Sequence, residues 1–223
     1  MLSVVIPTLN EAAVIGERLD QILAADLAAE VIVVDGGSVD RTVALAEKRG
    51  VRTIIGPAGR GVQLAAGAEA ATGNWLLFMH ADTKPGPGWA TVIRRFMEKP
   101  DNQFRAGYFH LLVNDSGPAP RFLEKLVDWR CQIFSLPYGD QGLLIKAEFY
   151  ERLGGFPPIP LMEDVALIRT IPRHRLEKLS CTAITSAKRY QSEGYLIRSV
   201  KNVSLLFMYF LGVSPHLLAE IYD

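Results

Sequence analysis

The chain has 223 residues, of which 49% are hydrophobic, and this composition favours one large folded domain and argues against a disordered chain. Its 24 basic residues balance its 24 acidic residues, which argues against a general nucleic-acid binder. The two cysteines, Cys131 and Cys181, have no metal-site spacing and form no disulfide framework, so they suit a reducing compartment.

The chain's first residues, MLSVVIPT, have no basic segment and are interrupted by Pro7, so we predict a first strand rather than a signal peptide. The longest apolar run near the C-terminus, residues 203–213, is shorter than the ~20 residues that span a bilayer. We therefore expect a cytoplasmic protein, with peripheral contact to the inner face of the membrane as the alternative.

In the first half of the chain, strands and helices alternate. Apolar runs predict strands at 2–6, 31–34, 51–55 and 75–79, and helical spacing of apolar residues predicts helices at 12–25, 42–49 and 62–71. This alternation is typical of a parallel sheet with right-handed crossovers. The sequence therefore predicts an α/β fold.

The second half is less regular and completes the sheet differently. We predict a strand at 107–113, paired antiparallel in a mixed sheet, and further elements along the chain: a helix at 122–134, a strand at 143–146, helices at 148–153 and 165–170, a last strand at 179–186 and a helical tail at 195–222. We divide the chain into a domain of residues 1–190, with halves of about 1–90 and 91–190, and a helical extension of residues 191–223. The extension is expected to pack on the domain or on a partner.

The stretch NWLLFMHADT, residues 74–83, places polar side chains at the end of a buried strand, where open α/β sheets bind ligands. His80 and Asp82 are two residues apart in extended chain and would point to the same side. They could hold one hard cation or one sugar hydroxyl between them. On this stretch alone, a turn capped by Asp82 and a structural His80 is an equally good interpretation.

Two other strand ends carry polar residues. PTLNE, residues 7–11, follows the first strand, and DGGSVDRT, residues 35–42, follows the second. Asn10 is predicted to cap the first helix, and Ser38 or Asp40 is predicted to cap the second. The two glycines that follow Asp35 permit a turn with positive φ. Because these ends meet at one edge of a parallel sheet, a ligand site there is favoured over turn chemistry alone.

The ordered set of motifs VVIPTLNE, DGGSVDRT, FMHADT, YGDQG, GGFP and MED spans residues 3 to about 170. In this order the motifs resemble the family 2 glycosyltransferases, which have the GT-A nucleotide-sugar fold. The HADT form and the GDQG loop are similar to a bacterial and cyanobacterial subgroup of small transferases. The resemblance implies a Rossmann-like, mostly parallel mixed sheet flanked by helices, with a helical C-terminal tail.

On the donor side, the resemblance implies that the first-strand turn borders the nucleoside. It also implies that Asp35 reads the edge of the base, beside the glycine turn that follows it. The residues implied in nucleotide binding are Pro7, Thr8, Asn10, Glu11, Asp35, Gly36 and Gly37. Arg60, in a glycine-flanked loop, could add a positive charge to the diphosphate, and a solvated surface arginine is the equally favoured alternative.

The resemblance implies that Asp82 is the last acid of a metal-binding motif for Mg²⁺ or Mn²⁺, which would stabilise a diphosphate leaving group. His80 stands where the family has its first acid. Asp164 matches the catalytic base of inverting members, and the acceptor side would include Asp140, Gln141 and Glu163. Acids in the first turn of a helix are also favoured by the helix dipole, which is the structural alternative for Glu163 and Asp164.

The tail is ambiguous, because residues 205–211 are apolar on all sides of the helix. We favour burial within the protein or in a homodimer, and the alternative is peripheral membrane contact with Lys188, Arg198 and Lys201 facing anionic headgroups. Arg189 is a candidate diphosphate contact, although a surface charge is the favoured interpretation.

We therefore predict a glycosyltransferase that moves a sugar from a nucleotide-diphospho-sugar to a hydroxyl acceptor with inversion, on an acceptor that a lipid could carry. One alternative is a nucleotide-sugar binding protein with weakened catalysis, which the histidine at position 80 favours. The other is a nucleotidyltransferase, which would have a glycine-rich basic signature after the first strand, and PTLNE is neither glycine-rich nor basic.

Overall fold

The computed structural model describes residues 1–27 and 29–222, with the side chain of Arg189 outside the described part. The strands are β1 (Leu2–Thr8), β2 (Ala29–Asp35), β3 (Arg52–Ile55), β4 (Trp75–Phe78), β5 (Thr83–Pro85), β6 (Ala106–Asn114), β7 (Leu143–Lys146) and β8 (Leu176–Ser186). The helices are α1 (Ile15–Leu23), α2 (Thr42–Glu47), α3 (Arg60–Ala70), α4 (Trp89–Glu98), α5 (Pro118–Phe134), α6 (Ala147–Arg152), α7 (Glu163–Ile168), α8 (Lys188–Glu193), α9 (Tyr195–Phe210) and α10 (Pro215–Tyr222).

The strands form one mixed sheet in the order β3-β2-β1-β4-β7-β6-β8-β5. The first four strands in this order are parallel, β7 is antiparallel to both of its neighbours, and β6 is parallel to β8. The predicted α/β fold is confirmed. The predicted antiparallel pairing of residues 107–113 is confirmed towards β7, whereas the long pairing of the same strand with β8 is parallel.

The core lies on both faces of the sheet because successive side chains of a strand point to opposite faces. In β1, Val4 and Ile6 pack with the buried face of α1, whereas Val5 packs on the other face with Leu64 of α3 and Val165 of α7. This burial on both faces explains why the parallel strands appear in the sequence as continuous apolar runs. It also fixes α3 and α7 on the same face of the sheet.

Several boundaries differ from the sequence prediction. The Pro/Gly-rich segment after residue 83 contains the short edge strand β5, where Pro85 is tolerated because it lies at the margin of the sheet. Helix α5 begins at Pro118, four residues before the predicted start at residue 122, because proline fits the first position of a helix. Helix α4 lies in a segment for which no element was predicted.

The predicted helix cap at Asn10 is wrong. Asn10 has a φ of 57°, and α1 begins only at Ile15, so the Asn10 side chain instead accepts a hydrogen bond from the Val39 N–H at 2.9 Å. The predicted positive φ is found at Gly37, at 90°. The N-cap residue of α2 is Arg41, without a side-chain cap bond, so the predicted cap at Ser38 or Asp40 is wrong; Asp40, the residue before it, accepts a hydrogen bond from the Thr42 N–H at 2.9 Å.

The helical tail is confirmed as helical but divides into α8, α9 and α10. Leu205 of α9 and Leu218 of α10 are buried together with Leu161, so the tail packs across the sheet edge that carries the polar turns. Phe207 and Phe210, by contrast, lie on an exposed face of α9, and the predicted burial within the protein is wrong for that face. None of the described helices is long and apolar enough to cross a membrane.

Candidate active site

The polar ends of β1, β2 and β4 lie at one edge of the sheet, as the parallel order requires. Thr8, the last residue of β1, donates a hydrogen bond from its hydroxyl to Asp35 at the end of β2, over 2.8 Å. Gln63 of α3 joins the same two strands, because its amide donates to the carbonyl oxygens of Thr8 and Val34, both at 2.8 Å. The ends of β1 and β2 and the first part of α3 are thus held together by short polar contacts.

Two cavities open at this edge. The larger, of about 390 Å³, is lined by the first-strand residues Pro7, Thr8 and Glu11. The smaller, of about 140 Å³, is lined by Asp140 and Asp164. The residues that line both cavities are Arg60, His80, Asp82, Leu161 and Tyr222. The cavities therefore share one wall, which combines the HADT motif with the first residue of α3.

Asp35 lies behind this wall and is not among the residues that line the two cavities. Its side chain has an exposed fraction of 0%, and it accepts hydrogen bonds from the Thr8 hydroxyl, the Ser38 hydroxyl and the N–H groups of Gly37 and Ser38. Burial alone would raise the pKa of Asp35, but these hydrogen bonds hold it below its ordinary value. The Asp35 carboxylate therefore stabilises the turn through these hydrogen bonds. Gly36, the next residue, lies close to Ala58 and Gln63.

Arg60 begins α3 and reaches the buried Glu163 at the start of α7, with 3.6 Å between Nη1 and Oε1. Burial lowers the pKa of Arg60, yet the carboxylates of Glu163 and Asp164 outweigh this effect and raise it. Burial, together with the charge of Asp164, raises the pKa of Glu163 to about 7, although Arg60 opposes the shift. Arg60 is therefore a partly buried cation of the shared wall, and its interpretation as a solvated surface arginine is wrong.

Asp164 lies beside Glu163 but faces the smaller cavity. Its Oδ2 accepts a hydrogen bond from the Gly139 N–H at 2.7 Å, and its Oδ1 accepts one from the Val165 N–H at 2.7 Å. The first of these bonds ties the GDQG loop to the start of α7. The two N–H donors fix the carboxylate in one orientation at the cavity wall.

The two polar side chains of the GDQG loop, Asp140 and Gln141, have different surroundings. Asp140 lines the smaller cavity, and burial raises its pKa to about 6, with Arg130 opposing and Asp164 and Asp82 adding to the shift. Gln141 is fully buried behind the loop, where its amide donates to the Phe109 carbonyl at 3.1 Å. Gln141 thus supports the loop and lines neither cavity.

The two predicted metal ligands, His80 and Asp82, lie together in the shared wall. A β-carbon on Gly139 would come within 2.6 Å of His80 Nε2, so this glycine makes room for the imidazole. Among residues 1–27 and 29–222, no group of three or more His, Cys, Asp or Glu side chains is placed to hold a metal ion. A divalent cation would therefore fit here only with further oxygen ligands from a bound phosphate or from water, which is how Mg²⁺ is commonly held.

Sequence reasoning missed the contribution of the C-terminal helices to both cavities. Tyr222 of α10 lies in the shared wall, and Arg198, Asn202 and Leu205 of α9 line the smaller cavity. The Arg198 guanidinium lies 4.3 Å from the centre of the Tyr222 ring, and Lys201 donates a hydrogen bond to the Tyr222 carbonyl at 2.7 Å. No short-range motif marks these residues, because only the packing of the tail brings them to the sheet edge.

Sequence comparison shows which known proteins this chain resembles. The sequence profile of Glycosyl transferase family 2 matches residues 3–110. Curated relatives from Mycobacterium bovis and Mycobacterium tuberculosis, described as PGL/p-HBAD biosynthesis glycosyltransferases, are 43% identical over 90 residues. This match covers 37% of the chain and 35% of the relatives, so it spans about a third of their length.

Solved structures share the fold over most of the chain. The mannosyltransferase PcManGT from Pyrobaculum calidifontis, in complex with GDP-Man and Mn²⁺, is 21% identical with a TM-score of 0.69, covering 99% of this chain and 69% of that one. TarS of S. aureus, in complex with UDP-GlcNAc, is 20% identical with a TM-score of 0.65, covering 82% and 58%. Glucosyl-3-phosphoglycerate synthase from M. tuberculosis is 21% identical with a TM-score of 0.61, covering 83% and 70%.

The profile match and the shared fold confirm the predicted resemblance. The chain has the GT-A fold, and its residues 3–110, from β1 into β6, match Glycosyl transferase family 2.

Proposed function

We propose that the protein transfers a sugar from a nucleotide-diphospho-sugar to a hydroxyl group of an acceptor. The observation that carries this proposal is the shared wall of Arg60, His80 and Asp82, with the first-strand turn on one side and the Asp164 carboxylate on the other. A group-transfer enzyme needs two binding spaces that meet at the reacting atom, and these two cavities provide that arrangement.

The larger cavity suits the donor. Its volume and its polar lining by Thr8 and Glu11 accommodate a nucleoside, and Arg60 supplies positive charge where the diphosphate would lie. The solved relatives described above were crystallised with GDP-Man, UDP-GlcNAc or UDP, which supports a donor of this class. A role for Asp35 in reading the base stays a prediction that requires it to give up one of its hydrogen bonds within the turn.

Charge develops on the diphosphate as the bond to the sugar breaks, and two features of the wall can balance it. Arg60 is a permanent cation held in place by Glu163. Asp82, with His80, would hold a Mg²⁺ or Mn²⁺ together with the phosphate oxygens, and the cation would act as a Lewis acid towards the leaving group. The Mn²⁺ in two of the solved relatives supports this part of the proposal.

The smaller cavity suits the acceptor, and Asp164 is the proposed general base. A hydroxyl is a poor nucleophile, so a carboxylate within hydrogen-bond reach takes its proton as the oxygen bonds to the anomeric carbon. The leaving diphosphate departs from the opposite face of the sugar, into the larger cavity. One base and one in-line displacement invert the configuration of the anomeric carbon.

A nucleotide-sugar binding protein with weakened catalysis is the second candidate, because His80 leaves the metal motif with a single acid. A direct test incubates the protein with Mn²⁺ and a panel of UDP-, GDP- and dTDP-sugars and measures release of the nucleoside diphosphate. The proposal expects hydrolysis with at least one donor, and faster turnover when an acceptor is added. Nucleotide binding without turnover on any donor would contradict the proposal and favour the binding protein.

A further inference from the structure

Helix α9 has two faces of different character. The inner face is formed by Arg198, Asn202 and Leu205, which line the smaller cavity. The outer face is apolar along the whole helix, and its residues have exposed fractions between 48% and 77%: Leu196, Ile197, Val200, Val203, Phe207 and Phe210. These residues recur at helical spacing, so they form one continuous stripe on one side of the helix.

Helix α5 has a similar outer stripe and packs against α9. Its inner residues Leu123 and Val127 are buried with Tyr195, the first residue of α9. The exposed residues of α5 repeat at intervals of four, three and four: Phe122, Leu126, Trp129 and Ile133. Because α5 packs against α9 and each stripe lies opposite the buried side of its helix, we treat the two stripes as one surface, which we call the α5/α9 face. Ten exposed apolar side chains on two packed helices are more than scattered single residues, and such clusters mark interaction sites.

The charges around the α5/α9 face are basic. The Arg169 guanidinium lies 5.0 Å from the centre of the Phe210 ring, at the edge of the α9 stripe. Arg173 is exposed and donates a hydrogen bond to the Gln132 carbonyl near the end of α5. Lys125 is exposed on α5 itself. These side chains give the apolar face a cationic rim.

Acidic side chains on the same two helices are neutralised. Helix α9 has no acid, and α5 has two. Glu124 pairs with Arg121 at 3.0 Å, and Asp128 contacts both His110 at 2.9 Å and Lys178 at 3.0 Å. Among the described residues named here, the charges without an acidic partner are those of Lys125, Arg169 and Arg173, and they would complement an anionic surface.

We propose that the α5/α9 face docks the protein onto an anionic lipid bilayer, with both helices lying in the plane of the membrane. Apolar stripes that contain Phe and Trp and are bordered by basic residues are typical of helices that bind at the lipid interface. A protein–protein interface carries about one hydrogen bond per 100–200 Å². The exposed positions of α9 offer almost no side-chain donors or acceptors for such bonds, and a second copy would bring a second basic rim against the first.

Of the three basic residues expected from the sequence to face the headgroups, Lys188 is exposed at the start of α8. The other two are engaged within the protein, because Arg198 is only 4% exposed and pairs with Glu193 at 2.9 Å, and Lys201 is bonded to the Tyr222 carbonyl. In the proposed docking, Arg169, Arg173 and Lys125 face the headgroups in place of these two. Only helix α9 lies between the apolar face and the smaller cavity. If the proposed glycosyl transfer holds, a hydroxyl acceptor carried by a lipid would therefore be within reach of that cavity.

Trp129 makes the docking directly observable. The sequence has three tryptophans, and Trp129 is 56% exposed on the α5/α9 face, whereas Trp75 and Trp89 are buried in the core. Adding phosphatidylglycerol vesicles to the full chain should shift the tryptophan emission to shorter wavelength, and brominated lipids should quench it. The Trp129→Phe variant should still float with the vesicles but lose the shift.

Flotation of variants then tests the surface itself. Phe207→Asp combined with Val203→Asp should reduce the vesicle-bound fraction by roughly tenfold or more, because two charges enter the apolar stripe. Leu23→Asp is the matched control, since Leu23 is an exposed leucine on α1, and it should float as the unmodified protein does. Arg169→Glu with Arg173→Glu should weaken binding to phosphatidylglycerol vesicles and leave the weaker binding to phosphatidylcholine unchanged.

Two results would overturn the proposal. One is a protein that ignores phosphatidylglycerol vesicles and is a dimer in solution that the Phe207→Asp, Val203→Asp variant converts to a monomer, which would assign the face to a second copy. The other is a monomer that binds neither vesicle type. Sugar transfer to a water-soluble acceptor is measured in parallel, so that failure of docking and failure of the proposed activity are told apart.

Discussion

Glu163 and Asp164 are adjacent in the chain, but their side chains have different surroundings. Glu163 is fully buried against Arg60, whereas Asp164 faces the smaller cavity and is held by two backbone N–H groups. The first side chain thus supports the cation of the shared wall, and the second is available to an acceptor. Neighbouring carboxylates with distinct environments are a common way for a site to divide two roles.

Replacing Asp164 by Asn tests the proposed base. The amide preserves the shape of the side chain but cannot accept the acceptor proton, so kcat for transfer should fall roughly 10²- to 10⁴-fold. Donor binding, measured by calorimetry with the nucleoside diphosphate and Mn²⁺, should be unchanged. Full transfer activity in Asp164→Asn would refute the assignment, and Asp140→Asn, in the same cavity, shows whether the other acid acts instead.

Glu163 gives a prediction about stability and pH. Its pKa is raised from 4.5 to about 7 in the folded protein, so the folded state binds the proton more tightly than the unfolded chain does. The free energy of unfolding should therefore decrease as pH rises from about 4.5 to about 7, by an amount on the order of 3 kcal/mol from this group. In Glu163→Gln this component of the slope should disappear.

The measurement is the free energy of unfolding from urea titrations at several pH values. Glu148→Gln, at an exposed position on α6, is the control and should keep the slope of the unmodified protein. An unchanged slope in Glu163→Gln would show that the buried carboxyl group does not titrate in this range.

At the scale of elements, the position of Arg60 depends on how closely α3 approaches the segment before α7. Gly61, the second residue of α3, lies against that segment, and a β-carbon there would come within 2.3 Å of the Pro157 carbonyl oxygen and 2.6 Å of the Ile159 carbonyl oxygen. Only glycine permits this contact without a shift of the backbone. The contact holds the first turn of α3, and with it the arginine, at the cavity wall.

Gly61→Ala should therefore force α3 away from residues 157–159. We expect a loss of about 1–3 kcal/mol in the free energy of unfolding, typical of overpacking, together with reduced donor turnover because Arg60 moves with the helix. Gly56→Ala is the matched control, because a β-carbon at Gly56 has no neighbour within 4 Å. Equal stability of the two variants would contradict this account of the α3 contact.

The sequence predicted the elements that repeat a simple local pattern. The strand at residues 75–79 could be predicted from its continuous apolar run, because it is buried on both faces, and the same holds for β1 and β2. The cap at Asn10 was misread because its side chain accepts a hydrogen bond from the Val39 N–H, across the neighbouring turn. Such cross-turn bonds depend on sheet order, which local spacing does not encode.

At the scale of the whole molecule, the tail changes the site that the sequence described. The first half of the chain supplies the polar turns, but Tyr222 and the inner face of α9 complete both cavities. An apolar helix in a sequence gives no indication of which side will be buried. The structure divides α9 into a cavity face and an outer face, and the proposed membrane docking follows from that division.

A crystal structure of the protein with a nucleotide-diphospho-sugar and Mn²⁺ would show whether the shared wall joins a donor cavity to an acceptor cavity. The nucleoside should lie along Pro7 to Glu11, the diphosphate between Arg60 and Asp82 with the cation beside it, and the anomeric carbon should face Asp164. A nucleotide whose phosphates occupy the smaller cavity, or lie away from Arg60 and Asp82, would contradict it.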